Sequence, residues 1–182
     1  MERFTWRQTF ALIRKDKERL KELLSYGQQK RSAALHPSFT CTLLYRISNH
    51  LYRADKRWLA RIVWHFNLLL TGADISEPAD IGEGFVVLNP PGVAIMGTAG
   101  KNLTVMACAG LGGELGRGED IGAGSGLCLI GDDITLEPHS GVLGPVRMGD
   151  RIRVGAGVVV TRDIPSDTDV LAPKAKLLRA NE

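Results

Sequence analysis

From Ile75 onward an aliphatic residue returns every six positions: Ile75, Ile81, Val87, Val93, Ala99, Val105 and Leu111, then Ile130, Leu136, Val142, Met148, Val154 and Val160. Six is a multiple of the strand period of two, so the marked residues all point to one side of their strands. It is not a multiple of 3.6, so a helix does not fit. Small or turn-forming residues follow many of these positions, as at Gly82 and Gly84, Pro90 to Gly92, Gly131 to Asp133, and Gly155 to Gly157. Short strands alternating with tight corners predict a β-solenoid over residues 72–165, with residues 166–182 as a tail.

Residues 1–71 carry a different pattern. Phe10, Ile13, Leu20, Leu23 and Leu24 form a broken apolar stripe that predicts a helix from Thr5 to Leu24, closed by Tyr26-Gly27-Gln28. A second helix starts at His36-Pro37-Ser38, with Ser38 as its cap and Leu43, Leu44, Ile47, Leu51 and Tyr52 on one face. A third runs from a cap at Asp55 through Leu70, with Leu59, Ile62, Val63, Phe66 and Leu69 or Leu70 turned inward. It also carries Trp58 and Trp64 beside Lys56, Arg57 and Arg61, a combination that fits a membrane surface or, more simply, packing on the solenoid or a neighbouring subunit. The whole chain is thus α+β, helices first.

The six-residue series slips once: Leu111 and Ile130 are 19 residues apart. The segment 112–129 holds seven glycines and reads as an extruded loop, which in a compact domain points to function. It has no GK[ST] and is not a phosphate-binding P-loop.

Charge divides along the same boundary. Residues 1–70 hold 14 Lys+Arg against 5 Asp+Glu, a net +9; residues 71–182 hold 9 against 15, a net −6. A basic head on an acidic body suits an anionic partner. No nucleic-acid-binding motif accompanies it. Three scattered cysteines, Cys41, Cys108 and Cys128, build neither a disulfide framework nor a zinc site and suggest reduced thiols in the cytoplasm. The N-terminus has no apolar h-region, and no uninterrupted apolar stretch of about 20 residues is present to span a bilayer.

Several segments resemble the hexapeptide-repeat acyltransferases, and within them the serine O-acetyltransferase branch. They are GADISEPADIGEGFVVLNPPGVAIMGTA at 72–99, the Leu111-Gly112-Gly113 triplet, VLGPVRMGDRIRVGAGVVVTRDIP at 142–165, APKAK at 172–176, and the helical lead-in YRISNHLYR followed by WLARIVWHFNLLLTGADI. The resemblance covers roughly residues 36–178. It implies a left-handed parallel β-helix, a homotrimer, and acetyl-CoA or another acyl-CoA lying in a groove between protomers with no metal. It further implies cofactor contacts from Gly112, Gly113, Gly155, Ala156, Gly157, Lys174 and Lys176. The family ending G-x-P-A-K is altered here to Leu171-Ala172-Pro173-Lys174-Ala175-Lys176.

The resemblance breaks at the chemistry. The branch carries its general base in L-D-H-x-x-G, where this chain has Val87-Leu88-Asn89-Pro90-Pro91-Gly92, with Asn89 at the base position and Leu88 at its acidic neighbour. A second histidine, in an Arg-His-Pro run closing the loop, is replaced at Gly126-Leu127-Cys128. An asparagine amide cannot take a proton near neutrality, although Asn89 can orient a carbonyl or hydroxyl. Either the base has moved or the chemistry has been lost. His139, beside Glu137, is the one histidine of the solenoid and the candidate moved base; His65 lies on the third helix. Glu114, Glu119 and Asp120 are candidate groups of the substrate loop. Cys108 and Cys128 are candidate nucleophiles, Cys128 falling in that loop beside the lost histidine. With one solenoid histidine per chain, a zinc site built from three histidines does not form. Two functions follow: an acyltransferase acting on a small-molecule acceptor other than serine, or an inactive homologue serving as a binding or scaffold protein. The basic head suits an acidic acyl carrier protein as donor.

Overall fold

The computed structural model describes residues 5–24, 33–113 and 118–173. The expected first-helix stop at Tyr26-Gly27-Gln28, Glu114 of the loop, and the tail lysines Lys174 and Lys176 lie outside these residues.

Helix α1 spans Trp6–Leu23, α2 Pro37–Arg53 and α3 Arg57–Thr71, with a 3-10 turn at Ala33–Leu35. Thr5 caps α1 through a reciprocal pair with Gln8. The cap of α2 differs from expectation: His36 accepts the Ser38 backbone N–H, and the Ser38 hydroxyl is buried without a partner. Lys56, not Asp55, occupies the α3 cap position, because Asp55 sits in the left-handed region at φ 58° in the turn leaving α2. Gly72 ends α3 in the left-handed region at φ 73°, which glycine adopts without a Cβ penalty.

The facing of α3 overturns the hydrophobic pattern. Leu59, Ile62, Phe66, Leu69 and Leu70 point to solvent, while Ala60, Asn67 and Thr71 are buried. Polar contacts decide the rotation. Ser48 Oγ donates to the Ala60 carbonyl at 2.9 Å, Asn67 Nδ2 donates to the Cys41 carbonyl at 3.1 Å, and Ala60 lets α2 approach closely. Helix α2 is enclosed between α1, α3 and the solenoid, so it buries Arg46, Ser48, Asn49 and His50 as well as its apolar residues.

One buried ion pair ties the helices to the solenoid. Arg46 meets the Asp16 carboxylate through Nε (2.8 Å) and Nη2 (3.1 Å), and donates to the carbonyls of Ile81 (2.6 Å) and Gly82 (2.5 Å). Asp16 also accepts the Phe85 backbone N–H at 2.8 Å. Arg46 lies over the rings of Tyr45 and Phe85. Tyr45 adds a hydrogen bond to the Ala79 carbonyl at 2.8 Å.

Fourteen short parallel strands, β1 (Asp74–Ile75) to β14 (Asp169–Val170), form three sheets among the described residues. The first contains β1 (Asp74–Ile75), β4 (Ala94–Ile95), β7 (Gly110–Gly112), β10 (Gly141–Leu143) and β13 (Val159–Val160) in that order. The second runs β11 (Arg147–Met148), β8 (Leu129–Ile130), β5 (Thr98–Ala99), β2 (Asp80–Ile81), and the third β14, β12 (Arg153–Val154), β9 (Thr135–Leu136), β6 (Thr104–Val105), β3 (Val86–Val87). Every third strand is a neighbour, so each coil contributes one strand to each face of a three-sided solenoid. All thirteen residues of the six-residue series are buried in one core. The register corrects the series at one point. Ile95, not Val93, stacks between Ile75 and Leu111, eight residues after Val87 and four before Ala99. The corner at Asn89–Pro91 is two residues longer than its counterparts and the next is two shorter, so the count recovers its phase. The solenoid also runs past residue 165: Ile164 bridges Met148, and Asp169–Val170 pairs with Arg153–Val154.

Candidate active site

The outward side of the first sheet is a shallow trough. Along it Ala94, Gly110 and Gly141 are in register, with Val159 at the far end. Gly110 is held by contact: a Cβ there would stand 2.2 Å from the Ala94 carbonyl oxygen. Gly141 has no heavy atom within 4 Å of a Cβ position, so the space above it is open to a ligand. A cavity of about 290 Å³ occupies this stretch, bounded by Cys108, His139, Gly112 and Leu143 among others.

The corners leading into this sheet form a column. Gly92, Cys108, His139 and Gly157 occupy equivalent positions in successive coils, all at positive φ (76°, 56°, 60° and 70°). Backbone bonds lock them together: Cys108 N–H to the Pro91 carbonyl, His139 N–H to Ala107, Gly157 N–H to Pro138. Cys108 and His139 therefore project from adjacent coils at the trough mouth, both exposed. Non-glycine side chains in this conformation cost about 1–2 kcal/mol, and such outliers concentrate at functional sites.

Among the residues singled out from sequence, the fold brings His139, Gly112 and Cys108 together at one cavity. Asn89 is exposed at φ 60° on the enlarged first corner, outside that cavity's lining. Glu137 does not orient His139. Its carboxylate accepts from Arg153 at 3.2 Å and from the Ala156 backbone at 3.1 Å. Gly155 is buried beneath Leu171, whereas Ala156 and Gly157 are exposed. Gly113 packs against Leu127 at the start of the loop. His65 points to solvent on α3.

Within the loop, Asp120 is a turn former. Its Oδ1 accepts the backbone N–H groups of Gly122 (2.8 Å) and Gly124 (3.0 Å), which hold its carboxyl below the usual range. That is opposite to what a general base at neutral pH requires. Glu119 is exposed. Cys128 turns into the solenoid, fully buried, and its thiol donates to the Gly112 carbonyl at 3.2 Å and the Val142 carbonyl at 3.4 Å. Burial pushes that thiol up to about 11, which removes it from nucleophilic chemistry.

A second cavity, of about 570 Å³, lies where α3 crosses the first coil, walled by Tyr52, Trp58 and Trp64 with Asp74 and Glu77. Met96 borders both cavities. The tryptophans stand out in the sequence; the carboxylates beside them do not. The available signal was the placement of Asp74 next to the inward Ile75, which turns it outward on the first coil; Glu77, buried at the following corner, carried no such signal.

No family model matches the chain. It is 29% identical over 145 residues to the serine acetyltransferase of Synechococcus elongatus, covering 79% of this chain and 57% of that protein. It is 29% identical over 146 residues to the serine acetyltransferase of Helicobacter pylori strain J99, covering 82% of the relative, and 32% identical over 173 residues to serine acetyltransferase 2 of Arabidopsis thaliana, covering 50%. The chain thus spans little more than half of several relatives. Among solved structures, serine acetyltransferase isoform 3 from Entamoeba histolytica in complex with cysteine superposes with a TM-score of 0.83 at 20% identity, over 96% of this chain and 62% of that one. The serine acetyltransferase of Neisseria gonorrhoeae gives 0.81 at 24% identity, over 96% and 67%. These likenesses establish the fold as helices followed by a left-handed parallel β-helix.

Proposed function

The chain belongs to the hexapeptide-repeat acyltransferase family, and from that premise we propose that it moves an acyl group from acetyl-CoA or another acyl-CoA to a small-molecule acceptor other than serine. The observation that carries this reading is the shared cavity of His139 and the glycine-lined trough. The pantetheine arm lies along Gly110, Gly112 and Gly141, with a neighbouring protomer of a homotrimer closing the open side. His139 removes the acceptor proton as the acceptor oxygen or nitrogen attacks the thioester carbonyl carbon. The carbon–sulfur bond breaks, and the leaving thiolate takes the proton from the imidazolium. Asn89, on the enlarged first corner and outside this cavity, orients an acceptor or carbonyl only where a neighbouring protomer completes the groove. The +9 helical segment suits docking of an acidic acyl carrier protein as an alternative donor, in a cytoplasmic setting.

The test is thiol release from acetyl-CoA across a panel of hydroxyl and amino acceptors. His139→Asn is expected to lower kcat/KM by roughly 10²–10⁴ with the thermal midpoint unchanged. Full activity in this variant would overturn the role of His139. Absence of both thiol release and acetyl-CoA binding in the wild type would overturn the transferase reading.

One observation favours a second reading, a non-catalytic binding or scaffold protein. Leu88, at the position of the relatives' acidic neighbour, packs on the cluster of Ile13, Leu20 and Phe39 and serves the core instead of a site. Under that reading, Leu88→Asp with Asn89→His creates activity absent from the wild type.

A further inference from the structure

Of the three cysteines only Cys108 is exposed, and it stands at the trough mouth. The pairing of Gly110 with Gly141 puts Cys108 in register with His139 on the next coil, and that of Ala94 with Gly110 puts it in register with Gly92 on the coil before. Neighbouring strands lie about 4.8 Å apart, so the thiol and the imidazole rise from backbone positions one strand spacing apart. Glycine fills this column at Gly92 and Gly157, whereas Cys108 and His139 hold it at φ 56° and 60°, where a side chain adds strain. The bare backbone of Gly92 gives the thiol room. Sγ of Cys108 rests 3.7 Å from the Pro91 carbonyl, and a Cβ on Gly92 would stand 2.9 Å from it. Being exposed, the thiol is free to turn about χ1 into the cavity that His139 also lines.

We infer that Cys108 is a covalent nucleophile that carries the acyl group from donor to acceptor, with His139 as the base in both halves of the transfer. The inference rests on the transferase reading and divides that transfer into two steps. A cavity of about 290 Å³ is at the small end of ligand sites, which suits a donor and an acceptor that occupy it in turn. In the first half a ring nitrogen of His139 takes the Sγ proton, and Sγ attacks the thioester carbonyl carbon of acyl-CoA. The bond from that carbon to the CoA sulfur breaks, and the CoA sulfur takes the proton from the imidazolium. In the second half His139 takes the proton of the acceptor hydroxyl or amine, which attacks the carbonyl carbon of acyl-Cys108. The bond to Sγ breaks, and Sγ takes its proton back. The first half exchanges one thioester for another, so it needs no oxidant or reductant and runs in both directions. The share of acyl-Cys108 then follows the ratio of acyl-CoA to free CoA. Cys41 and Cys128 do not replace Cys108, because burial pushes their thiols up to about 12 and about 11.

The test is exchange of isotopically labelled CoA into acetyl-CoA by the full chain with no acceptor present, together with intact-mass measurement of the protein after rapid desalting. The wild type is expected to catalyse the exchange with saturation in acetyl-CoA. It is also expected to gain one acetyl group, mapped to Cys108 and removed by free CoA. Cys108→Gly, which matches the glycines of the column, and Cys108→Ala are both expected to lose exchange and adduct while still binding acetyl-CoA in calorimetry. His139→Asn is expected to slow both by roughly 10²–10⁴. Absence of exchange and adduct in the wild type overturns the inference, as does exchange that persists in Cys108→Gly. An adduct that forms as fast in His139→Asn, or equally on Cys41 and Cys128, is chance thiol exchange and also overturns it. Thiol release to an acceptor that is undiminished in Cys108→Gly overturns the covalent route and leaves the transferase reading standing. Absence of acetyl-CoA binding in the wild type overturns both. Exchange without transfer to any acceptor of the panel supports Cys108 as the nucleophile while counting against a small-molecule acceptor.

Discussion

Replacing Arg46 with methionine tests what joins the helical head to the solenoid. Arg46 and Asp16 are each about 2% exposed, and the guanidinium reaches three elements at once: the α1 carboxylate, the Ile81 and Gly82 carbonyls, and the rings of Tyr45 and Phe85. Methionine refills much of the volume but leaves Asp16 buried with backbone N–H donors, Phe85 and Gly84, in place of a cation. Breaking a buried pair in this way costs about 3–5 kcal/mol. Against a typical domain stability of about 5–15 kcal/mol this is a large share. With a urea slope of about 2 kcal/mol per molar, the unfolding midpoint falls by roughly 2 M. Urea titration at fixed protomer concentration, followed by far-ultraviolet circular dichroism, reads this directly. Asp16→Leu with Arg46→Met removes both charges and is expected to lose less than Arg46→Met alone, because no charge is then buried unpaired. A midpoint shift under about 0.5 M for Arg46→Met, or a double variant that loses the full sum of the two singles, refutes the reasoning.

Three other expectations follow from the geometry. With Cys41 and Cys128 buried and Cys108 exposed, a thiol reagent labels one cysteine per native chain and three after denaturation; native labelling of Cys128 contradicts the fold. The alkaline limb of stability carries the same signature. The Cys128 thiol stays neutral to about 11 in the folded chain against 9.0 when exposed, so its contribution is complete below pH 9 and is lost as pH rises towards 11. The loss is at most roughly 1.4 kcal/mol per pH unit from this thiol, and Cys128→Ala is expected to flatten it in urea titrations at stepped pH. Gly110→Ala drives a Cβ into the Ala94 carbonyl and is expected to destabilise by about 1–3 kcal/mol, whereas Gly141→Ala enters open space. Calorimetry should therefore find Gly141→Ala unchanged in thermal midpoint but weaker for acetyl-CoA, and equal binding by this variant argues against the trough as the pantetheine path.

The solenoid was legible because its determinant is local and repetitive. An aliphatic residue every sixth position sets which side chains point inward, and hydrophobic burial does the rest. The loop announced itself as a break in that count, and the helix ends at Thr5 and Gly72 are set by local capping chemistry. Sequence alone did not fix the rotation of α3, because that depends on which partner helix comes close. Ala60 and Asn67 win that contact over five larger apolar side chains. Nor did it fix the partners of Glu137, which are set one coil away by Arg153 and Ala156, or the inward turn of Cys128. The assembly of both cavities belongs to the same class: residues as far apart as Tyr52 and Met96, or Gly92 and Val159, share a wall only once parallel coils stack in register. Periodicity encodes the inside of a coil; contacts between coils and helices, which no single stretch of chain contains, decide what its outside presents.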